Sequence, residues 1–148
     1  MPFQLSTRSE RRLAGVHPDL VRVVTRAITL TEVDFTVLEG CRSAARQAEL
    51  YRLGASRLDG ESALSRHQSG HAVDLGAWLH GAVRWDWPLY WRIFSAMRDA
   101  AAAEDVPIEW GGHWQEFKDG PHYQLPVLTY PASHESVLAA TRAAAAAA

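Results

Sequence analysis

The sequence contains a single cysteine, Cys41, so no disulfide can form within the chain, and stability must come from packing or from a bound metal. No apolar run approaches the roughly 20 residues of a membrane span, so we expect no stable membrane insertion. Residues 1–10 lack the apolar segment of a standard signal peptide. The net charge is −2 and the isoelectric point is about 6.4, which argues against nucleic acid as the main partner.

The length and the hydrophobic content of the chain are sufficient for one folded domain. The chain has 148 residues, 47% of them hydrophobic, and a chain of this length buries roughly 70% of its unfolded surface. We place the domain at residues 1–128. After Pro126 and Pro131 the sequence becomes rich in alanine, so we expect residues 129–148 to form a helical or frayed tail that adds little to the core.

The pattern of apolar residues predicts a mixed fold. Helical spacing from Pro18 gives a buried stripe that runs from Leu20 to Ile28. The other predicted elements are a short helix at 9–16, a strand at 35–39, a helix from Ser43 to about Leu53, a strand at 72–78 turning at His80-Gly81, a long helix from Asp86, and strands at 108–110 and 122–125. Because helices and strands do not alternate regularly, this order favours an α+β fold with a small antiparallel sheet flanked by helices.

Two short motifs combine histidine with an acid. His67 and Asp74 lie seven positions apart, and Gly70 between them allows the backbone to turn so that both side chains can converge. Asp119 and His122 lie further along the chain. Two imidazoles and one carboxylate form a three-ligand zinc set that leaves a fourth position for water, so we predict one zinc ion per chain on His67, Asp74 and His122.

The remaining acid and a nearby cation complete a hydrolytic site. Asp119 is predicted to take a proton from the attacking water and to deliver it to the leaving amine. Arg42, which follows the first strand, is a fixed cation that could stabilise an oxyanion or hold a substrate carboxylate. A histidine and an aspartate at this spacing are weak evidence by themselves, since isolated motifs often match by chance.

Several other residues have simpler interpretations. His113 is interpreted as a partly exposed loop histidine and is predicted not to bind the metal. His71 would point to the other face of its strand from Asp74, so it receives no role. The tryptophans at positions 78, 85, 87 and 91 are interpreted as core and turn residues rather than platforms for a ligand.

Three motifs in order resemble one known family. They are Ser65-x-His67-x-x-Gly70-x-Ala72-x-Asp74, the Gly40-x-Arg42-Ser43 segment followed by Gln47, and Trp110-Gly111-Gly112-x-Trp114 followed by Asp119-x-x-His122. Together they resemble the D-Ala-D-Ala metallopeptidase (VanY-type) family. The N-terminal segment is similar to phage L-alanyl-D-glutamate endopeptidases, so the resemblance covers roughly residues 8–125. His113 departs from the pattern, because relatives often carry an acid there.

The resemblance implies a fold and a set of roles. The fold would be the small zinc fold shared with hedgehog and lysostaphin-type proteins. His67, Asp74 and His122 would bind zinc, Asp119 would be the catalytic acid and base, and Arg42 would contact substrate. Supporting roles would fall to Ser65, by a hydrogen bond, and to Gln47.

The expected function is therefore a zinc-dependent peptidoglycan endopeptidase of the phage endolysin type that cleaves the L-Ala–D-Glu bond of the stem peptide. It would be a monomer that waits in the host bacterial cytoplasm until it is released to the cell wall. One alternative is a D,D-carboxypeptidase that removes the terminal D-Ala. A second is a non-catalytic, zinc-stabilised module that binds the wall, although such a module has no need of Asp119.

Overall fold

The computed structural model describes residues 1–147 of the chain, which form five α-helices and five short strands. The helices are α1 (Thr7–Arg12), α2 (Pro18–Leu30), α3 (Ala44–Arg52), α4 (Trp87–Glu104) and α5 (His134–Ala146), and the strands are β1 (Phe35–Glu39), β2 (Ala72–Leu79), β3 (Ala82–Arg84), β4 (Glu109–Trp110) and β5 (His122–Gln124). A 3-10 turn, Gly111–His113, follows β4. Within the described range, none of the helices has both the length and the hydropathy that crossing a membrane requires.

The strands form one sheet in the order β1-β2-β5-β4, and β3 pairs with the end of β2. All four strand pairs are antiparallel. The sheet and its flanking helices confirm the α+β fold predicted from the sequence. The hairpin between β2 and β3 turns at His80 and Gly81, whose φ angles of 53° and 77° are those of a tight two-residue turn.

The core lies between the sheet and the two long helices, α2 and α4. The predicted stripe of α2 is fully or almost fully buried. On β2, Val73, Leu75 and Ala77 are buried in the same cluster. Because side chains alternate along a strand, Asp74 points to the opposite face of the sheet. One face of β2 therefore builds the core, and the other carries polar chemistry.

The first helix differs from the prediction. It spans Thr7–Arg12 instead of residues 9–16, because Ser6 caps it by accepting a hydrogen bond from the backbone N–H of Ser9 at 3.1 Å. The Ser9 hydroxyl is itself buried and accepts a hydrogen bond from the Val37 N–H at 3.0 Å. The capping serine was present in the sequence, but the apolar spacing placed the helix too late.

Four tryptophans were predicted to be core or turn residues, and the prediction that they belong to the core is wrong. Trp78, Trp85, Trp87 and Trp91 are 37%, 60%, 40% and 50% exposed. The buried face of α4 is instead formed by Tyr90, Ile93, Ala96, Met97, Ala100 and Ala101. Trp87 and Trp91 lie beside this face, where their ring edges contact Trp110 of β4.

The alanine-rich tail contains a formed helix. Ser133 caps α5, and Ser136 returns the capping bond to the Ser133 N–H. Ala140 is 5% exposed, because this helix packs against the turns that contain Gly15 and Gly70. The sequence allowed a frayed tail, but complementary small residues give the helix a surface to pack on.

The turn at Gly70 sets the path of the chain between His67 and Asp74. Gly70 has a φ of +74°, and a Cβ placed on it would lie 2.2 Å from the Gly15 carbonyl oxygen. Its own carbonyl accepts a hydrogen bond from the His17 N–H at 2.7 Å. A side chain at this position would therefore be strained by the backbone angle and would also collide with a neighbouring backbone.

We predict that Gly70→Ala destabilises the protein more than Gly54→Ala does. Gly54 has a similar φ of +76° but no atom within 4 Å of the added Cβ. Gly54→Ala therefore measures the cost of the backbone angle alone, without a steric clash. That cost is about 1 kcal/mol in the free energy of unfolding, and the clash at Gly70 should raise the loss above about 2 kcal/mol. Urea unfolding of both variants measures the difference. Equal losses would contradict the close contact between Gly70 and Gly15.

Candidate metal centre and catalytic cleft

A cleft of about 340 Å³ opens on the polar face of the sheet. It brings together six of the seven residues that the sequence singled out, namely Arg42, Ser65, His67, Asp74, Asp119 and His122. The seventh, Gln47, is completely buried behind Arg42. The side walls carry Leu50 and Leu58 from one part of the chain and Trp114 from another.

Strand register places Asp74 at the centre of the cleft. Asp74 of β2 pairs with Glu39 of β1 on one side and with His122 of β5 on the other. Paired residues on neighbouring antiparallel strands project to the same face of a sheet. The sheet therefore aligns Glu39, Asp74 and His122 in a row, although they are far apart in the sequence.

His67 reaches this row from the turn that precedes β2. Its Nδ1 lies 2.9 Å from the Gly40 carbonyl oxygen. Because a carbonyl can only accept, Nδ1 must carry the hydrogen, which leaves the Nε2 lone pair free. That Nε2 lies 3.4 Å from Oδ1 of Asp74. The Ser65 hydroxyl stabilises the turn by accepting a hydrogen bond from the His67 N–H at 3.2 Å.

His122 faces Asp74 with its Nδ1, whereas His67 does so with its Nε2. The Nε2 of His122 lies 2.8 Å from Oε1 of Gln124, and the amide of Gln124 donates to a carboxylate oxygen of Glu109 at 3.1 Å. Since that second bond fixes the orientation of the amide, the Nε2 of His122 carries the hydrogen. Its Nδ1 then faces Oδ1 of Asp74 at 3.2 Å.

These three residues form a group that can hold a metal ion. Their ligand atoms all lie within 4.8 Å of one another. A tetrahedral ion with bonds of 2.0–2.1 Å holds its ligands about 3.3–3.4 Å apart. The separations of 3.4 Å and 3.2 Å from Asp74 to the two imidazoles agree with this geometry. The hydrogen bonds to Gly40 and Gln124 orient both imidazoles, as the outer shell of a metal site does.

The electrostatics of Asp74 favour a bound cation. Burial acts to raise the pKa of its carboxyl, but hydrogen bonds with His122 and His67 outweigh burial and lower the pKa. For His122, burial acts to lower the pKa, and the contact with Asp74 outweighs it and raises the pKa. A proton and a metal ion therefore compete for the same lone pair, so metal affinity should fall in acid.

Asp119 is held beside this group by its backbone. Its N–H donates to the Gly111 carbonyl at 3.0 Å, and its own carbonyl accepts from the His122 N–H at 3.2 Å. A Cβ on Gly111 would lie 2.4 Å from the Asp119 carbonyl oxygen, so this approach requires glycine. Burial, and next the negative charge of Asp74, raise the pKa of the Asp119 carboxyl. A raised pKa suits a group that exchanges protons near neutral pH.

Arg42 is bound on several sides. Its Nε and Nη2 donate to the two carboxylate oxygens of Glu39 at 2.8 and 2.7 Å, and its Nη1 donates to Oε1 of Gln47 at 2.9 Å. Burial acts to raise the pKa of the Glu39 carboxyl, but the bond with Arg42 outweighs it and lowers the pKa. Nη2 also lies 4.0 Å from Oδ2 of Asp74. Arg42 is therefore a fixed positive charge with three of its five N–H donors already used.

Gln47 connects Arg42 to the wall of the cleft. Besides accepting from Arg42, its amide donates to the Ser56 hydroxyl at 3.0 Å and to the Leu58 carbonyl at 2.7 Å. A buried amide with all of these bonds holds the loop after α3 against the site. This placement matches a supporting position rather than one that touches substrate.

Sequence reasoning missed Glu39, Gln124 and the Gly40 carbonyl. Gln124 follows His122 by two residues, so strand periodicity could have placed both on one face. Glu39 immediately precedes the Gly40-x-Arg42-Ser43 motif that the sequence analysis marked. The role of the Gly40 carbonyl had no signal, because any residue has a carbonyl and only the fold directs it at His67.

His113 and His71, which the sequence analysis left without a role at the metal, lie outside the metal group. The ring of His113 is exposed and packs edge-on against Phe94 and Trp110, at centroid distances of 4.8 and 4.9 Å. His71 is buried, with its Nδ1 2.6 Å from the Ser69 hydroxyl. Burial lowers the pKa of His71 to about 4. Neither is among the three residues that the geometry brings together.

Comparison with known proteins identifies the family. The model of the phage L-alanyl-D-glutamate peptidase family matches residues 1–134. The L-alanyl-D-glutamate peptidase of Escherichia phage T5 is 31% identical over 135 residues, which are 90% of this chain and 97% of the phage protein. The chain therefore belongs to the phage L-alanyl-D-glutamate peptidase family, and this confirms the resemblance and the enzyme class expected from the sequence.

Two bacterial proteins are also similar. The peptidoglycan L-alanyl-D-glutamate endopeptidase CwlK of Bacillus subtilis (strain 168) is 30% identical over 103 residues, 63% of this chain and 61% of that protein. The crystal structure of the Serratia marcescens L-Ala D-Glu endopeptidase ChiX matches with a TM-score of 0.81 and 47% identity, over 88% of this chain and 96% of that one. The ChiX match extends the similarity from sequence to fold.

We predict that Gln124→Ala lowers metal affinity without removing a ligand. The change deletes the acceptor that orients His122, and the loss of such an outer-shell bond typically costs about 10- to 100-fold in affinity. Competition with a chromogenic chelator measures the effect. Gln115→Ala, which removes an exposed glutamine from the neighbouring loop, is the matched control. Unchanged affinity in Gln124→Ala would show that the bond to His122 does not support the site.

Proposed function

We propose that this chain is a zinc-dependent peptidoglycan endopeptidase of the endolysin type, which hydrolyses the L-Ala–D-Glu bond of the stem peptide. The observation that carries the proposal is the single cleft in which His67, Asp74 and His122 converge beside Asp119. The choice of the L-Ala–D-Glu bond rests on the relatives, because the phage protein and both bacterial proteins are named as peptidases of that bond.

Zinc is the metal that this donor set suits. Two imidazole nitrogens and one carboxylate oxygen are a common catalytic zinc set, and the separations of the Asp74 oxygen from both imidazole nitrogens suit a tetrahedral ion. When bound, zinc supplies Lewis-acid chemistry, because it acidifies water and polarises carbonyl groups. The metal site would be completed by the bonds that His67 and His122 make to Gly40 and Gln124.

Asp119 is proposed as the group that moves the proton. Its carboxylate lines the cleft and is raised in pKa, so it can accept a proton from the attacking water. The same proton then passes to the amine of D-Glu as the peptide bond breaks, which returns Asp119 to its starting state. Arg42 supplies a fixed positive charge close to Asp74, and its two unused N–H groups are available to an oxygen of the substrate.

The state of Arg42 argues against the alternative of a D,D-carboxypeptidase. An exopeptidase must bind a free carboxylate next to the scissile bond, and an arginine fork suits that geometry. Here the fork of Arg42 already binds both oxygens of Glu39. A terminal carboxylate could use this fork only by displacing Glu39 from a half-buried ion pair, and otherwise has only the two remaining N–H groups of Arg42. An internal peptide bond offers a single carbonyl oxygen, which those two N–H groups can serve.

A non-catalytic wall-binding module is the less supported alternative. A metal that only stabilises a fold is usually closed by four protein ligands, whereas three ligands leave a position open for chemistry. Asp119 beside a three-ligand group is also a group that a binder does not require. The monomeric state and the start in the host cytoplasm remain predictions from the sequence.

We predict that His67→Ala and Asp119→Asn separate metal binding from proton transfer. His67→Ala should lose both zinc and activity, because two ligands do not hold the ion. Asp119→Asn should keep zinc and lose about 10²–10⁴-fold in kcat, the usual contribution of a positioned acid and base. Metal analysis alongside rates on purified walls tests both. If Asp119→Asn purifies without metal, Asp119 is a ligand and the assigned roles are wrong.

The bond that is cleaved gives the direct test of the function. Digested peptidoglycan should yield muramyl-L-Ala ends and free peptides that begin with D-Glu, and a chelator should abolish both products. Mass spectrometry of the digest identifies them. Loss of terminal D-Ala alone would overturn the endopeptidase proposal and favour the carboxypeptidase. Absence of any cleavage, with zinc bound, would favour the binding module.

A further inference from the structure

A second groove lies beside the catalytic cleft, between α4 and the segment formed by β4 and the 3-10 turn. Its volume is about 450 Å³. We call it the aromatic groove, and its lining includes Phe94, Arg98, Glu109, Trp110, His113 and Trp114. Its lining combines aromatic rings with two aliphatic side chains, one positive charge and one negative charge, and Trp110 itself is only 2% exposed. Of these residues, the roles assigned above use only Glu109, which fixes the amide of Gln124, and Trp114, which is a wall of the catalytic cleft.

The rings of the aromatic groove hold one another in place. Phe94 lies nearly parallel to Trp110, with centroids 4.4 Å apart and planes at 12°. His113 meets both rings edge-on, and Trp91 meets Trp110 edge-on at 4.7 Å. The indole N–H of Trp110 donates to the Gly120 carbonyl at 2.7 Å. A platform fixed in this way loses little entropy when a ligand binds.

The aromatic groove adjoins the catalytic cleft. Trp114 lines both, and its ring centroid is 5.1 Å from that of His122. A second link runs through Gln124, which bonds to His122 on one side and to Glu109 at the rim of the groove on the other. A ligand that extends out of the cleft past Trp114 therefore enters the aromatic groove.

The chemistry of the groove favours a sugar over more peptide. The stem peptide of peptidoglycan is joined through its L-Ala to an amino sugar, so a sugar ring lies one residue from the scissile bond. The remaining stem peptide carries free carboxylates, which would call for an excess of cations. Arg98, which pairs with Asp99, and Glu109, which accepts from Gln124, carry opposite charges and can also bond to hydroxyl and acetamido groups. The exposed ring of His113 and the partly exposed ring of Trp114 offer flat faces to a sugar ring.

We propose that the aromatic groove is a subsite for the amino sugar that carries the stem peptide, so that the protein recognises the glycan strand together with the peptide. This rests on the proposed function, because the cleft must bind the L-Ala–D-Glu segment for the sugar to reach the groove. His113 then has a role in binding substrate, and none in binding the metal.

The test compares two substrates that share one peptide. The first is a disaccharide-linked tripeptide from peptidoglycan, and the second is the same tripeptide without sugar. The wild-type protein should have the lower KM for the sugar-linked substrate. In His113→Ala and in Arg98→Ala, KM for that substrate should rise about five- to tenfold, the worth of one good aromatic or polar contact, with kcat unchanged. Both variants should cleave the free tripeptide as the wild type does.

Trp85→Ala is the matched control, because it removes a tryptophan that is 60% exposed and lies outside the groove. It should change neither KM. Equal KM values for the two substrates in the wild type would overturn the proposal. So would variants that weaken both substrates equally, because that pattern indicates a general disturbance of the loop.

A binding measurement separates this proposal from the proposed function. Glycan strands stripped of their peptides by an amidase should shift the tryptophan fluorescence of Asp119→Asn, and should not shift that of Asp119→Asn combined with His113→Ala and Arg98→Ala. If the wild type cleaves neither substrate, the endopeptidase proposal fails, while binding of the stripped strands would still support the subsite. Cleavage of both substrates without binding of stripped strands would refute the subsite alone.

Discussion

The site depends on one buried carboxylate that lies between two imidazoles. Asp74 is held in the middle of the sheet, and its side chain is only 19% exposed. A charged carboxylate in such a place is costly unless cations or donors surround it. His67, His122 and the more distant Arg42 surround it from three different parts of the chain. The antiparallel register of β1, β2 and β5 keeps these groups together.

Around this centre, each functional side chain is fixed by a second contact. Gly40 orients His67, Gln124 orients His122, and Glu39 with Gln47 orients Arg42. Sites held in this way need little rearrangement when a metal or substrate binds. The same contacts limit what Arg42 can do, since a guanidinium that is already bound to a carboxylate is a poor receptor for another. The ion pair between Arg42 and Glu39 therefore favours cleavage of an internal peptide bond over removal of a terminal residue.

The aromatic groove, as a sugar subsite, would let the protein recognise the glycan strand as well as the peptide bond that it cleaves. A peptide of two residues offers a small surface for recognition, and a neighbouring sugar enlarges it. Trp114 is central here, because it lines two recesses that have different chemistry, one polar with the candidate metal-binding residues and one with aromatic rings. The exposed tryptophans at the start of α4 show that aromatic residues in this chain serve its surface as well as its core.

Much of the fold and the composition of the site could be predicted from the sequence. Local signals were sufficient for β1, α2, α3 and the His80-Gly81 turn, because periodicity, caps and turn glycines act over a few residues. The motifs also marked six of the residues that line the cleft. The sequence could not place α1 correctly, because the buried Ser9 bonds to Val37, far along the chain. It also could not show that the tail helix packs, because the fit of Ala140 against Gly15 and Gly70 joins distant segments.

The sequence by itself determined which residue types were available for chemistry and in what order. Only the tertiary structure decided their relationships: which nitrogen of each histidine faces Asp74, that Glu39 occupies the fork of Arg42, and that the tryptophans of α4 are exposed. The physical reason is that hydrogen-bond direction and burial are set by strand register and helix packing. These properties join residues as far apart as Glu39 and His122, and no local pattern encodes them.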